Sequence, residues 1–172
     1  MRRLVLYGGS SLFFFYSFFL FGFFLLQEKI KPVAINGFES FVLYLFNLFL
    51  TCLFYYVFLR IFNNKINYST VVSVYSATLL PTILFFYSNL FFYFLLPPPR
   101  TLSLLGIIFS YLYLSWVSAL VFWKISLLYL CLRFLGRLDL FKVVFLIVLY
   151  TAVFSLYFLL LYQLQLIRLP II

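Results

Sequence analysis

Side chains that commonly perform chemistry are scarce in this sequence. Its 172 residues include no histidine, two cysteines and three carboxylates. Without histidine, histidine-based metal or haem ligation and the serine–histidine and cysteine–histidine nucleophile systems are excluded. Cys52 and Cys131 lie far apart and show no CxxC spacing. We therefore predict neither a disulfide nor a metal pair, and we assign both thiols to apolar packing.

The carboxylates occupy positions that do not suggest catalysis. Glu28, Glu39 and Asp139 all fall in predicted connections between apolar runs, where solvation explains them. Asp139 has the i,i+3 spacing needed to pair with Lys142. The sequence predicts a protein that is not an enzyme and that binds no metal or cofactor.

One apolar run carries polar residues around a proline. Pro81 removes a backbone donor and clashes with the preceding turn, so a kink is expected there. Two roles remain open for the nearby side chains: hydrogen bonds around the kink, or a polar path through a helix bundle. The candidates for the kink and the path are Ser73, Tyr75, Ser76, Thr78, Pro81 and Thr82.

The amino-acid composition indicates that these residues lie on membrane-embedded elements. The chain is 67% hydrophobic and only 9% charged, whereas soluble proteins have roughly 25% charged residues. So few charges cannot coat that much apolar surface in water. The net charge of +9 comes from twelve dispersed Lys and Arg residues, a pattern typical of membrane topology signals rather than of nucleic-acid binding. We predict a single membrane domain, residues 1–172, embedded in a lipid bilayer.

Five apolar runs are long enough to cross a bilayer, because a span needs about 20 residues at a rise of about 1.5 Å each. The first run is too long for the apolar part of a signal peptide and no clear cleavage site follows, so we predict that it is retained. The fold class is all-α, a polytopic transmembrane bundle of five helices. The predicted spans are residues 4–26, 41–59, 71–96, 102–123 and 143–162.

The connector at residues 124–142 is basic and includes a short apolar piece. It is either an interfacial amphipathic helix or an ordinary basic loop. In both cases Lys124, Arg133, Arg137 and Lys142 are predicted to contact the inner membrane surface. With the connector excluded, no predicted span holds a residue charged at neutral pH, so ion-coupled transport by this chain alone is not expected.

Orientation follows from the basic residues. Of the twelve Lys and Arg residues, eight fall on the side of the N-terminus and four on the other. Because positively charged short loops stay in the cytoplasm, the N-terminus is predicted inside and the C-terminus outside. The expected location is a prokaryotic inner (cytoplasmic) membrane, with an organellar inner membrane as the alternative.

Aromatic residues are unusually frequent, with 27 phenylalanines and 15 tyrosines against 6 glycines. The sequence has no GxxxG motif for close backbone approach. We expect the helices to pack through large aromatic side chains, which leaves grooves for lipid or for partner helices.

Residues 54–162 resemble the Yip domain. The resemblance rests on Phe58-Leu59-Arg60, the polar connector at residues 63–67, the segment from Val74 to Pro81, Trp116 and the final helix. It implies five membrane helices and a cytoplasmic N-terminus. Only Met1 to Arg3 precede the first helix, and Asn63-Asn64 replaces a glycine pair, so the resemblance is to compact prokaryotic-type members. The trafficking role of larger members is not carried over.

A weaker resemblance is to the sixth NADH-dehydrogenase membrane subunit of the respiratory chain. It rests on Val74-Tyr75-Ser76-Ala77, which lacks the glycine of that subunit's motif. Two functions are thus predicted. The first is a non-catalytic Yip-like scaffold or accessory subunit, partnered by other membrane subunits or by copies of itself and not by nucleic acid. The alternative is a small subunit of a transport or respiratory complex that lines part of a conduction path.

Overall fold

The computed structural model describes residues 2–30, 37–63, 65–95 and 104–163. All regular secondary structure within these ranges is helical, which confirms the predicted all-α class. The elements are α1 (Arg2–Ile30), α2 (Gly37–Phe62), α3 (Tyr68–Tyr75), a 3-10 turn (Ser76–Thr78), α4 (Leu79–Leu95), α5 (Leu104–Gly136) and α6 (Leu140–Gln163).

Four helical segments of the described chain are long and apolar enough to cross a membrane, which fits an integral membrane protein. These segments are Gly37–Phe62, Tyr68–Leu95, Leu104–Gly136 and Leu140–Leu161. The first predicted span, residues 4–26, corresponds to α1, whose described apolar segment Ser11–Gln27 is shorter than the other four. The structure therefore supports four of the five predicted spans by length and composition.

Consecutive helices fold back on one another. The α1 ring of Phe24 lies 5.9 Å from that of Tyr44 in α2, and the Tyr44 ring lies 6.1 Å from that of Phe86 in α4. At the opposite end of α2, the Tyr56 ring lies 5.6 Å from that of Tyr68, where α3 begins. The span from α3 to α4 therefore runs antiparallel to α2. Aromatic rings form these contacts, as expected for a chain with few small residues.

The predicted kink region contains a 3-10 turn shortly before Pro81. The Ser76 hydroxyl donates to the Ser73 carbonyl at 2.6 Å, and the Thr78 hydroxyl donates to the Tyr75 carbonyl at 2.7 Å. Proline lacks the backbone donor that a regular helix would use here, and a tightened turn is a common response. The α-helical hydrogen bonding is therefore replaced by a 3-10 turn between α3 and α4, within the Tyr68–Leu95 span.

Helix α5 is longer than predicted, because it continues from Leu104 to Gly136. Residues 124–136, predicted to form a connector, are part of this helix, since no proline or glycine lies between Lys124 and Gly136. Arg137 then adopts a left-handed φ of 52° and turns the chain toward α6. Residues 124–136 are thus neither a separate interfacial helix nor a loop.

The largest buried cluster lies near the connection between α5 and α6. Leu59 of α2, Leu132 of α5 and Leu146 of α6 are all 2% exposed or less. Gly136 brings α5 close to α2, since an added Cβ would lie 2.7 Å from the Leu59 Cδ2 atom. We call this region the closed end of the bundle; its cluster comprises Tyr55, Leu59, Ile66, Val71, Leu128, Leu132, Leu138, Val143 and Leu146.

Candidate functional site

A line of hydrogen bonds joins the side chains of α4 and α5. Asn89 accepts from the Tyr113 hydroxyl at 3.0 Å, and the Trp116 ring nitrogen donates to the Ser88 hydroxyl at 3.0 Å. Farther along, the Lys124 ammonium donates to the Thr82 hydroxyl at 2.8 Å. We call this line the polar seam: Thr82, Ser88, Asn89, Tyr113, Trp116 and Lys124.

Helical spacing explains why the polar seam forms. Thr82 and Asn89 are seven residues apart, about two turns, so they share one face of α4. Tyr113 and Lys124 are eleven residues apart, about three turns, and share one face of α5. Antiparallel packing then matches the two rows in opposite order. Such interhelical hydrogen bonds join helices where no small-residue motif is present.

Lys124 lies far from both ends of the apolar part of the bundle. Glu39 and Arg60 flank 20 uncharged residues of α2, and their separation of about 31 Å matches a hydrocarbon core of about 30 Å. Lys124 precedes Arg133 by nine residues of continuous helix, which is about 14 Å. Its partner Thr82 stands near the middle of the Tyr68–Leu95 span. In a bilayer that matches the uncharged length of α2, the ammonium group would lie about halfway through the hydrocarbon core.

A charge at this depth is costly and needs partners. Insertion scales give roughly 2.5–3.5 kcal/mol for a lysine at the centre of a membrane helix. The ammonium group has three donors, and in the described part of the chain its hydrogen bond is to Thr82. The ion pair in the described part of the chain does not involve Lys124. It joins Asp139 and Lys142 at 4.0 Å, as their spacing predicted. Helix α5 continues through Lys124, so the candidate span Leu104–Gly136 includes a charged residue that the predicted span 102–123 does not.

The other predicted surface cations lie at the closed end. Arg133 donates to the Tyr129 hydroxyl at 2.8 Å, one turn earlier in α5. Arg60 repeats this arrangement in α2, with a 2.8 Å bond to the hydroxyl of Tyr56. Aromatic rings and long basic side chains commonly occupy the interface between lipid headgroups and hydrocarbon.

Arg137 and Lys142 follow at the same end. Arg137 lies in the turn between α5 and α6, and the Lys142 ammonium lies 5.6 Å from the Phe62 ring centre. Three of the four predicted surface cations are therefore together. Lys124 is separate from them, in the polar seam.

The residues predicted for the kink and the path divide into two groups. Ser73, Ser76, Thr78 and Pro81 are buried, and the Ser76 and Thr78 hydroxyls bond to the preceding turn. The Tyr75 ring packs 6.0 Å from Tyr55 in the closed end. Thr82 is the member that reaches the polar seam. Local hydrogen bonding around the kink therefore accounts for Ser76 and Thr78.

A second polar stripe, which the sequence analysis did not predict, lies on α2. Asn47, Thr51 and Tyr55 follow one another at four-residue spacing, which places them on one face of the helix. Thr51 shares a 3.0 Å hydrogen bond with the Tyr150 hydroxyl of α6. The Tyr55 ring stacks on Tyr150 at 5.0 Å, while its buried hydroxyl has no hydrogen-bond partner in the described structure. The four-residue spacing of these polar side chains is the sequence feature that could have predicted the stripe.

Part of α5 presents an apolar stripe that nothing in the described structure covers. Leu128 and Leu132 are 8% and 2% exposed, because they pack in the closed end. Positions on the same face farther from the closed end are open: Leu114 is 62% exposed and Val121 50% exposed. Ile125, between the two halves, is 44% exposed. We call Leu114, Val121 and Ile125 the open stripe.

The described residues offer no group of three metal-ligating side chains. The Cys131 thiol, buried in α5, contacts the Val74 carbonyl at 3.4 Å, and Cys52 is buried in α2. An open apolar groove of about 310 Å³ lies between α2 and α6, lined by Leu50, Leu53, Phe54, Val57, Phe58, Val153 and Phe154. No family model, curated protein or solved structure matches this chain.

Proposed function

We propose that this chain is a non-catalytic integral membrane protein that acts as a scaffold or accessory subunit of a larger membrane complex. The observation that carries the proposal is the open stripe. It continues the face that Leu128 and Leu132 use for packing in the closed end. A helix face that packs in one half and lies exposed in the other is suited to receiving a helix from another subunit.

Helix α6 supports the same proposal. Its face that carries Val143 and Leu146 is buried, and Phe154 and Leu161 farther along that face are only 5% and 9% exposed. The opposite face is open, since Val148 and Leu156 are 61% and 64% exposed. Bulky side chains favour grooves between helices over close backbone contact. A partner helix would fill the space that the two helices leave.

The proposed topology has five membrane passes, with α1 as the first and the N-terminus inside. The distribution of charge supports it, because Arg60, Arg133, Arg137 and Lys142 all lie at the closed end. Helix α1 begins with Arg2 at the end of the chain expected on that side. We propose that this end faces the cytoplasm, in a prokaryotic inner membrane or, alternatively, in an organellar inner membrane.

A compact Yip-like identity remains part of the proposal. Five alternating helices would suit it, and the segment from Val74 to Pro81 that carries the resemblance lies around the 3-10 turn. The respiratory-subunit and conduction alternatives draw on the same segment. They receive less support, because the Ser76 and Thr78 hydroxyls are buried and bond to the adjacent backbone.

Site-specific photo-crosslinking in native membranes tests the proposal. A photoreactive phenylalanine analogue would replace Leu114 or Val121 in the open stripe. Matched controls would replace Phe14 or Phe18 of α1, which are 72% and 74% exposed. We expect a discrete protein adduct from the open stripe, recovered in stoichiometric amount with the chain, and lipid adducts from α1. Lipid adducts alone at all four positions would contradict a subunit role.

A further inference from the structure

Lys124 is a charged residue of α5 that lies beside the open stripe and belongs to the polar seam. Its ammonium has three donors and bonds to Thr82 at 2.8 Å. The chain's three carboxylates cannot reach it. Glu39 lies in the first turn of α2, Asp139 lies beyond the end of α5, and Glu28 belongs to the last turn of α1. Asp139 is 15 residues from Lys124, about 22 Å along a helix.

Lys124 lies beside the open stripe on the surface of α5. It follows Val121 by three residues and precedes Leu128 by four, so all three are neighbours on the helix surface. Lys124 is partly buried, Val121 and Ile125 are exposed, and Leu128 is buried. A helix docked on the open stripe would therefore pass close to the ammonium group.

We propose that Lys124 binds a carboxylate carried at mid-membrane depth by a transmembrane helix of a partner protein. This inference rests on the proposed subunit role and names the chemistry of the partner. An ionised Asp or Glu would accept the donors that Thr82 does not use, and each charge would lower the cost of burying the other. The partner helix would bring that residue to the level of Thr82 while its apolar side chains cover the open stripe.

Depth favours this occupant over a lipid or a second copy of the chain. Lys124 lies about 14 Å from the level of Arg133, so a phosphate in the headgroup layer is far from it. Its ammonium also bonds inward to Thr82 rather than reaching along the helix toward the interface. A second copy would bring no carboxylate to this depth, because all three acids of the chain lie at or beyond helix ends.

The test uses the full chain in lipid vesicles and a labelled synthetic transmembrane helix of leucine and alanine. Three otherwise identical peptides carry Asp, Asn or Leu at the central position, and binding is measured by energy transfer to a fluorophore on the chain. We expect the Asp peptide to bind roughly tenfold or more tightly than the Asn and Leu peptides. Lys124→Met should abolish that preference, Lys124→Arg should keep it, and the surface control Lys142→Met should leave it unchanged.

A charge swap keeps the proposal falsifiable if Lys124→Met alters folding, which helical circular dichroism would reveal. Lys124→Glu should bind a peptide with a central Lys in preference to the Asp peptide. Equal binding of the Asp, Asn and Leu peptides to the unmodified chain would overturn the carboxylate inference and leave the subunit role standing. The subunit role itself fails separately, if the photoreactive positions 114 and 121 yield lipid adducts alone.

Discussion

The two halves of α5 show what the closed and open regions of this protein have in common and where they differ. One helix face carries Leu114, Val121, Leu128 and Leu132, all aliphatic and all on one stripe. In the closed end these side chains are 8% exposed or less, and in the open half they are 50% exposed or more. The same aliphatic pattern therefore packs against other helices of the chain in the closed end, whereas in the open half it is exposed and could contact a partner helix. The polar seam runs along the open half of α5, from Lys124 to Tyr113.

The largest effect should come from shortening the same residue type in both halves. Leu132→Ala removes a buried side chain from the closed end, and we expect a loss of roughly 2–4 kcal/mol in the free energy of unfolding. Leu114→Ala, on the open stripe, should change it by less than about 0.5 kcal/mol. Reversible unfolding in mixed micelles measures both values. Equal losses would show that the two halves are packed alike.

A second test compares two helical glycines. Gly136→Ala places a Cβ 2.7 Å from the Leu59 Cδ2 and Leu138 Cγ atoms, whereas at Gly22 the nearest atom is the Tyr87 hydroxyl at 3.7 Å. We expect the first substitution to cost about 1–3 kcal/mol through overpacking. Gly22→Ala should be tolerated or slightly stabilising. If Gly136→Ala unfolds at the wild-type denaturant concentration, the close approach of α5 to α2 is wrong.

A third test concerns the sign of a charge effect. In the isolated chain, Lys124→Met removes a membrane-buried charge, so we expect unfolding to require about 1–2 kcal/mol more. The exposed pair of Asp139 and Lys142 contributes little, and Lys142→Met should stay within about 0.5 kcal/mol of wild type. Thermal unfolding in detergent distinguishes the two. Destabilisation by Lys124→Met would mean that Thr82 and its surroundings already satisfy the ammonium group.

The smallest effect is expected in the polar seam. Ser88→Ala removes the acceptor of the Trp116 ring nitrogen, and membrane interhelical hydrogen bonds average about 0.6 kcal/mol. Ser118→Ala, on an exposed part of α5, serves as its control and should have no measurable effect. The tryptophan emission spectrum gives a second readout, because Trp116 would lose a hydrogen bond in the first variant alone.

Helix content and the apolar spans were predictable, because long uncharged runs need no tertiary information. The boundary of α5 was not. The predicted span ends at residue 123, because Lys124 is charged, yet the residues after it favour helix and Gly136 is the next breaker. The usual preference for glycine after a helix also fails to predict which residue follows α5. Glycine commonly adopts the left-handed conformation after a helix, but here Arg137 does so, and Gly136 is the last residue of α5, close to Leu59.

The candidate site was less predictable than the fold. The polar residues of the third run were visible in the sequence, but their partners lie far along the chain, as Thr82 and Lys124 do at a separation of 42 residues. The pairing depends on the register between α4 and α5, which the aromatic and polar side chains set together. The i,i+3 pair of Asp139 and Lys142 could be predicted because its two residues are close in sequence and need no register between helices.

We infer that Lys124 lies about halfway through the membrane, on a helix that continues to Gly136. A nitroxide spin label at position 125, in a chain whose two cysteines are replaced by alanine, tests it most directly through collisions with oxygen and with a water-soluble nickel complex. Labels at positions 133 and 142 give the interfacial reference. We expect strong oxygen and weak nickel collisions at position 125, with the reverse balance at 142. Nickel accessibility at 125 equal to that at 142 would instead place Lys124 at the membrane surface.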